Sequence, residues 1–221
     1  MSELSSDPPF GPRDDGAPTG SGRWDSRIGS ILVQVSGLLE ELTPQQWESP
    51  SLCEGWRVRD VAGHFVWRVG SSNAQMLRSG LCASVRHGVN PVMAIDLSRA
   101  AAKESPQQLV QGIRRIAVDK FAGVGRTGIV ELTECVVHAF DIANPLGVDL
   151  AIDAETTGAV ATTRARLAPA PLRAVLNART LRAQDAGWRI GRGPVIEGTA
   201  QAIVLFLFGR EPLRRRITAG A

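Results

Sequence analysis

The chain has little of what marks a secreted or membrane protein. Its 221 residues include three cysteines, an odd number without paired spacing, which argues against a disulfide framework. Its longest apolar run, 202–208, is far shorter than the ~18 residues that a membrane-spanning helix needs. The first 22 residues lack the basic and then apolar order of a signal peptide. We therefore expect a cytoplasmic protein with reduced thiols.

A strong excess of one charge is also missing. The net charge is +3, arginines are spread along the chain, and the single dense basic run lies at 214–216. No nucleic-acid-binding motif accompanies that run, and a solvated tail is its simpler interpretation. The hydrophobic content of 43% and the charged content of 21% are typical of a globular protein with a buried core. Neither a nucleic acid nor a membrane is expected as a partner.

Apolar residues recur at helical spacing in four long segments, which predicts a four-helix bundle. The predicted helices of this bundle cover 24–42, 58–77, 106–121 and 129–144. Beyond them the pattern predicts a helix over 153–167, short strands over 172–180, 187–190 and 194–198, and a closing helix over 199–209.

The predicted fold class is therefore mainly α, with a small α/β domain at the C-terminal end. The bundle is assigned to 23–148 and the α/β domain to 149–212. Residues 1–22, rich in Ser, Asp, Pro and Gly, are predicted to be a disordered tail, and 213–221 a basic tail.

The most informative local pattern lies in the fourth predicted helix, where Glu134 precedes His138 by four residues. Side chains at that spacing project from the same face of a helix. A further histidine, His64, lies in the second predicted helix. Two ligands from one helix and one from a neighbour would suit a catalytic zinc-type site that keeps one position open.

The same spacings fit less specific interpretations. A Glu and a His four residues apart are often a surface pair, worth roughly a few tenths of a kcal/mol. A histidine in an apolar helix is often simply buried and hydrogen bonded. A di-iron bundle would need two Glu-x-x-His motifs, which the sequence lacks, so a single metal is the better interpretation. Two histidines and one carboxylate also suit mononuclear iron.

Three segments resemble a known family. Residues 42–64, with Trp47, Cys53 and Trp56 among them, resemble the N-terminal signature of the mycothiol-dependent maleylpyruvate isomerase family, within the DinB-like metal-binding bundles. Residues 134–141 resemble the second signature of that family. Residues 193–210 are similar to the close of its C-terminal domain.

The resemblance implies a metal triad of His64, Glu134 and His138, with Zn²⁺ as the expected ion. It also implies mycothiol, a low-molecular-weight thiol, as cosubstrate, and a small electrophile as substrate. The thiol would add to the electrophile and lead to cis–trans isomerisation, or transfer its sulfur. A non-enzymatic metal-binding module with a regulatory or stress-related role is the alternative.

Other roles follow from the resemblance and from helix spacing. Asp60 and Asp141 are expected to orient the two histidines, as carboxylates outside a metal's ligand set do. The alternative for Asp141 is a helix cap or a surface pair. Arg210 would hold a substrate carboxylate, or would only favour the dipole of the closing helix. Arg57 stands where the family usually has a hydroxyl residue that caps the helix, so we expect that cap to be lost or the helix to begin earlier. Trp47 and Trp56 are assigned to packing rather than to substrate contacts, and Cys53 to packing, with a reactive thiol as its alternative.

Overall fold

The computed structural model describes residues 24–71 and 98–210. These residues fall into two compact units, one that ends at Ala151 and one that begins at Ile152. Both predicted tails, and the part of the predicted helix 58–77 that follows residue 71, lie outside the described residues.

The α-helices of the first unit dominate its described residues. They are α1 Asp25–Glu40, α2 Pro44–Trp47, α3 Val58–His64, α4 Pro106–Phe121 and α5 Ile129–Ala143. The long helix α1 packs against both α4 and α5, and α3 contacts the same two helices. Within the part of the chain that the structure describes, no helix is long and apolar enough to cross a membrane.

Two of these helices begin with the same capping arrangement. Thr43 accepts a hydrogen bond from the backbone N–H of Gln46 at 3.3 Å, and the Gln46 side chain accepts one from the Thr43 N–H at 2.9 Å. Ser105 and Gln108 form the same pair of bonds at 3.2 and 2.9 Å. Each pair satisfies N–H groups that a helix leaves unpaired at its start. A proline follows each cap and fixes the first helical residue.

At the start of α3 an arginine takes the place of the usual hydroxyl cap. The Arg57 backbone N–H donates to Asp60 Oδ2 at 2.9 Å, which is half of a capping box. The Arg57 guanidinium also donates to both Asp60 oxygens, at 3.0 and 3.1 Å. Burial disfavours the ionised carboxyl, but these bonds outweigh it and hold the pKa of Asp60 below its usual range. The helix therefore begins at Val58 without a hydroxyl.

The predicted helix over 58–77 differs from the structure in one respect. Its α-helical part ends at His64, and Phe65–Val69 is π-helical. The N–H of Gly70 donates to the Phe65 carbonyl oxygen, five residues earlier, at 3.2 Å. Apolar periodicity cannot distinguish one π-helical turn from one α-helical turn. The rotation from one side chain to the next differs too little between the two over so few residues. Such turns occur often at functional sites.

The second unit combines three helices with a small sheet. Its elements are α6 Ala154–Arg166, α7 Ala170–Ala178, β1 Thr180–Ala183, β2 Arg189–Gly191, β3 Val195–Gly198 and α8 Ala200–Leu207. Strand β1 pairs antiparallel with β2 and parallel with β3. The closing helix α8 packs against α6 and β1. The predicted fold class, mainly α with a small α/β part at the C-terminal end, is confirmed.

The predicted strand over 172–180 is wrong. Helix α7 occupies most of that segment, and the strand begins only at Thr180. Proline at 169 and 171 starts the helix, because a fixed φ suits the residues before and within the first turn. Leu172, Val175 and Leu176 then follow helical spacing and turn one face inward.

Candidate metal centre

Helices α3 and α5 bring His64, Glu134 and His138 together inside the bundle. Glu134 Oε2 lies 3.0 Å from His64 Nε2 and 3.5 Å from His138 Nε2. The two imidazole centroids are 4.6 Å apart. All three ligand atoms lie within 4.8 Å of one another, so they face a common point. Two imidazole nitrogens and a carboxylate oxygen in this arrangement fit the protein ligands of a catalytic divalent metal.

Each histidine forms a hydrogen bond through its other ring nitrogen, Nδ1. Ser98 Oγ lies 2.9 Å from His64 Nδ1, and Asp141 Oδ2 lies 2.9 Å from His138 Nδ1. Both partners are fully buried. A proton on each Nδ1, donated to these oxygens, would leave both Nε2 lone pairs available to a metal.

In the structure the Nδ1 of His64 is hydrogen bonded to Ser98, and not to Asp60, for which an orienting role was predicted. Asp60 lies in the first turn of α3, and its carboxylate is taken up by Arg57. Helix spacing pointed to the carboxylate four residues before His64, whereas the hydroxyl that bonds His64 lies 34 residues further along the chain. No local spacing rule points to a partner at that separation.

Charge in the site is arranged to favour a cation. Burial opposes ionisation of Glu134, but hydrogen bonds with the two histidines outweigh it and hold its pKa well below the usual range. Burial lowers the pKa of His64. Burial acts in the same direction on His138, but the bonds to Asp141 and Glu134 prevail and raise its pKa. The triad therefore offers one firmly ionised oxygen between two imidazoles.

Aromatic rings line the two imidazoles. The Trp56 ring is parallel to His138, with centroids 6.3 Å apart, and meets the His64 ring edge-on at 5.3 Å. The Trp67 ring lies 5.9 Å from His64. Trp56 was assigned to packing alone, yet it contacts two members of the triad. Its apolar surface restricts water around the site and limits rotation of both imidazoles.

The signature loop also brings a thiol close to the centre. The Leu52 N–H donates to the Asp141 carbonyl oxygen at 3.0 Å and so ties the loop to α5. The half-buried Cys53 offers a sulfur within 4.8 Å of ligand atoms of His138 and Asp141. Cys135, by contrast, is fully buried, and burial raises the pKa of its thiol far above the usual range.

Arg210 belongs to the second unit. Its backbone N–H donates to the Leu205 carbonyl oxygen at 2.9 Å, just beyond the end of α8. Its role as an anion clamp stays a prediction.

Replacing Ser98 by alanine should weaken metal binding by about tenfold, the lower end of what loss of a ligand's outer partner costs. The substitution leaves His64 Nδ1 without its hydroxyl partner. Chelator competition on the purified variant measures the change in affinity. The Ser30→Ala variant, at an exposed position of α1, should bind metal as the wild type does. Equal affinity in the Ser98→Ala variant would show that this hydroxyl does not orient His64.

Comparison with known proteins bears on the same region. Residues 29–125, which include His64, match the model of the family described as Mycothiol maleylpyruvate isomerase N-terminal domain. No curated protein sequence gives a significant match to the chain. A crystal structure of the mycothiol-dependent maleylpyruvate isomerase is similar to this chain, with a TM-score of 0.53 and 16% identity over 88% of this chain and 90% of that one.

A crystal structure of a histidine-to-alanine mutant of the mycothiol-dependent maleylpyruvate isomerase gives a TM-score of 0.50 with the same identity and coverage. At that identity the two structures show a shared fold. The family match covers much of the helical unit and includes the signature segment 42–64. Residues 29–125 of the helical unit therefore match the mycothiol maleylpyruvate isomerase N-terminal domain family, as the resemblance of the signature segment predicted.

Proposed function

We propose that this protein is a metal-dependent, mycothiol-using enzyme that acts on a small electrophile. The observation that carries the proposal is the convergence of His64 Nε2, Glu134 Oε2 and His138 Nε2 on one point. The family model that matches residues 29–125 supports mycothiol as the thiol. The solved structures with the same fold are mycothiol-dependent maleylpyruvate isomerases, which supports isomerisation as the reaction class.

His64, Glu134 and His138 would hold the metal, for which Zn²⁺ is our first choice. Two neutral imidazoles and one carboxylate cancel only one of the two charges of a divalent ion. The remaining charge would lower the pKa of a coordinated thiol and favour its thiolate.

The side chains around the triad would keep it in a binding-competent state. Ser98 and Asp141 fix the protons of the histidines on Nδ1. Trp56 packs on both rings and reduces access of water to the thiolate. Arg210 is proposed as a clamp for a substrate carboxylate, because a guanidinium binds a carboxylate through two parallel hydrogen bonds.

The thiolate is the group that reacts with the electrophile. Its sulfur adds to one carbon of a conjugated double bond, and the former double bond becomes a single bond that can rotate. Expulsion of the thiolate restores the double bond with the opposite geometry and regenerates the thiol. Protonation of the adduct at the neighbouring carbon, or displacement of a leaving group from the electrophile, would instead leave the sulfur of the thiol bonded to the substrate. Both reactions fit a cytoplasmic enzyme whose thiol cosubstrate is kept reduced.

The test begins with metal content, measured by mass spectrometry on the wild type and on the His138→Ala variant. We expect a single divalent ion per chain in the wild type and its loss in the variant. A His87→Ala variant, which changes a histidine outside the described residues, serves as the matched control and should keep the ion.

Activity is then assayed with mycothiol and maleylpyruvate or other unsaturated electrophiles. Turnover should require both the metal and the thiol. A wild type that holds no metal and takes up none on addition would refute the triad. Metal binding without electrophile consumption would favour the non-enzymatic module, and turnover that needs oxygen and iron(II) would favour an oxygenase.

A further inference from the structure

A second group of charges lies in the bundle, where Arg68, Arg126 and Lys120 surround Glu131. Arg68 Nη1 and Arg126 Nε each lie 3.1 Å from Glu131 Oε1. Lys120 Nζ donates to the backbone oxygen of Arg126 at 2.9 Å. Glu131 and Lys120 are buried, at 6% and 3% exposure. Glu131 pairs directly with the two arginines, and the charges of Glu134 and Asp119 also act on Arg126 and Lys120.

The hydrogen bonds of this cluster are incomplete. Arg126 Nε lies close to Glu131, but its N–H is not directed at that oxygen, and the buried atom has no hydrogen-bond partner in the described parts of the chain. The Trp67 indole nitrogen, whose ring faces His64, is likewise buried without a partner among the described residues. A buried donor without an acceptor costs free energy. These two donors therefore indicate that hydrogen-bond acceptors other than the described protein groups belong beside them.

The cluster lies about one helical turn from the triad. Glu131 precedes Glu134 by three residues on α5, which is ~4.5 Å along the axis. Arg68 follows His64 by four residues, and Arg126 donates from Nη2 to the backbone oxygen of Arg68.

The side chains of both arginines are partly open to solvent. The side chains of Arg68 and Arg126 are 16% and 19% exposed, whereas that of Glu131 is 8% exposed. A small ligand can therefore contact the arginines while the carboxylate stays behind them. This exposure distinguishes the pair from a sealed structural ion pair.

We propose that Arg68 and Arg126 form an anion-binding subsite beside the candidate metal centre, and that this subsite takes a carboxylate of a small ligand. Two guanidinium groups offer the planar, multiple donors that carboxylates bind. The inference rests on the proposed function for its ligand, the electrophilic substrate. The subsite would select electrophiles with a carboxylate about one helical turn, ~5 Å, from the carbon that the thiol attacks.

The subsite and the triad would also be energetically coupled. An anion at Arg68 and Arg126 is attracted by a divalent ion at the triad, so each ligand should bind more tightly in the presence of the other. Such coupling is reciprocal at equilibrium.

The test uses succinate, an unreactive dicarboxylate, and succinamide, its uncharged counterpart, as calorimetric probes. Chelator-treated protein is titrated first, so that no metal contributes to binding. We expect saturable succinate binding that Arg126→Gln weakens at least about tenfold, equivalent to ~1.4 kcal/mol, and no binding of succinamide. The Arg114→Gln variant changes an exposed arginine on α4 that pairs with Glu40, and should bind succinate as the wild type does.

A double variant separates ligand binding from structural support. Arg126→Gln alone leaves Glu131 with one partner fewer and could destabilise the bundle, whereas Arg126→Gln with Glu131→Gln removes both charges. The subsite requires that the double variant recover thermal stability but not succinate affinity. Recovery of both would mean that Arg126 serves only to neutralise Glu131, and would overturn the proposal.

Two further results would also overturn it: a wild type without saturable succinate binding, and succinate binding equal in all variants. Metal content is measured on the same samples. A protein that binds metal but fails these tests loses the subsite and keeps the proposed function. A protein that binds succinate through Arg126 but binds no metal loses the proposed function and keeps the anion site.

Discussion

Replacing Gly63 by alanine is expected to destabilise the helical bundle by about 3 kcal/mol, the upper part of the range for overpacking a core. A Cβ at this position would lie 2.5 Å from the Ser98 carbonyl oxygen and 2.6 Å from the Ala102 nitrogen. Both are backbone atoms, so a rotamer change cannot relieve the clash. Helix α3 and the segment 98–102 would have to move apart. Urea unfolding measured by circular dichroism gives the change in the free energy of unfolding.

Gly37 provides a matched control with the opposite expected sign. It lies within α1, and a Cβ there would meet nothing within 4 Å. Alanine at 37 should therefore stabilise the protein by roughly 0.5–1 kcal/mol, since glycine is a poor helix former. The Gly63→Ala variant should in addition bind metal more weakly, because the displaced segment carries Ser98. Unchanged stability in that variant would show that α3 and the segment 98–102 do not approach as closely as the structure has them.

The second large effect is expected at the triad itself. Glu134→Gln should lower the affinity for a divalent metal by more than about 100-fold, because loss of an outer partner alone costs 10–100-fold. The substitution preserves the size of the side chain and removes the charge that both histidines face. Chelator competition gives the affinity, and the thiol-dependent turnover of an electrophile should fall with it.

An exposed glutamate on the same unit controls for the change of net charge. Glu41→Gln alters the charge equally at an exposed position just after α1 and should leave metal affinity unchanged. Melting of the metal-free proteins checks that Glu134→Gln remains folded. A folded Glu134→Gln variant with wild-type metal content would rule out Glu134 as a ligand.

Much of the fold was predictable from local patterns. Helices α1, α4 and α5 follow apolar periodicity over about four turns each, and that length makes the pattern unambiguous. The segment around α7 was misassigned because it has only a few apolar residues, Leu172, Val175 and Leu176. So short a pattern does not distinguish helical from extended spacing. The strand β1 has four residues, and the exposed Arg182 interrupts its apolar pattern, so only its pairing partners define it.

Only part of the candidate site was predictable from the sequence. His64, Glu134 and His138 were selected from spacing and from the resemblance, and the structure brings them together. Their metal-binding role stays a prediction. Ser98, Trp56, Arg68 and Arg126 were not recognised as neighbours of the site. Each reaches it from another segment or after an irregular turn, and the contact exists only once tertiary packing has formed.

The π-helical turn Phe65–Val69 has a consequence for how relatives of this chain are aligned. A π turn uses one residue more than an α turn to cover nearly the same axial length. A relative with a continuous α-helix here would align with a one-residue gap directly after its equivalent of His64. An ungapped alignment would match the metal-ligand position correctly and pair every later helix position with the wrong neighbour, Arg68 included.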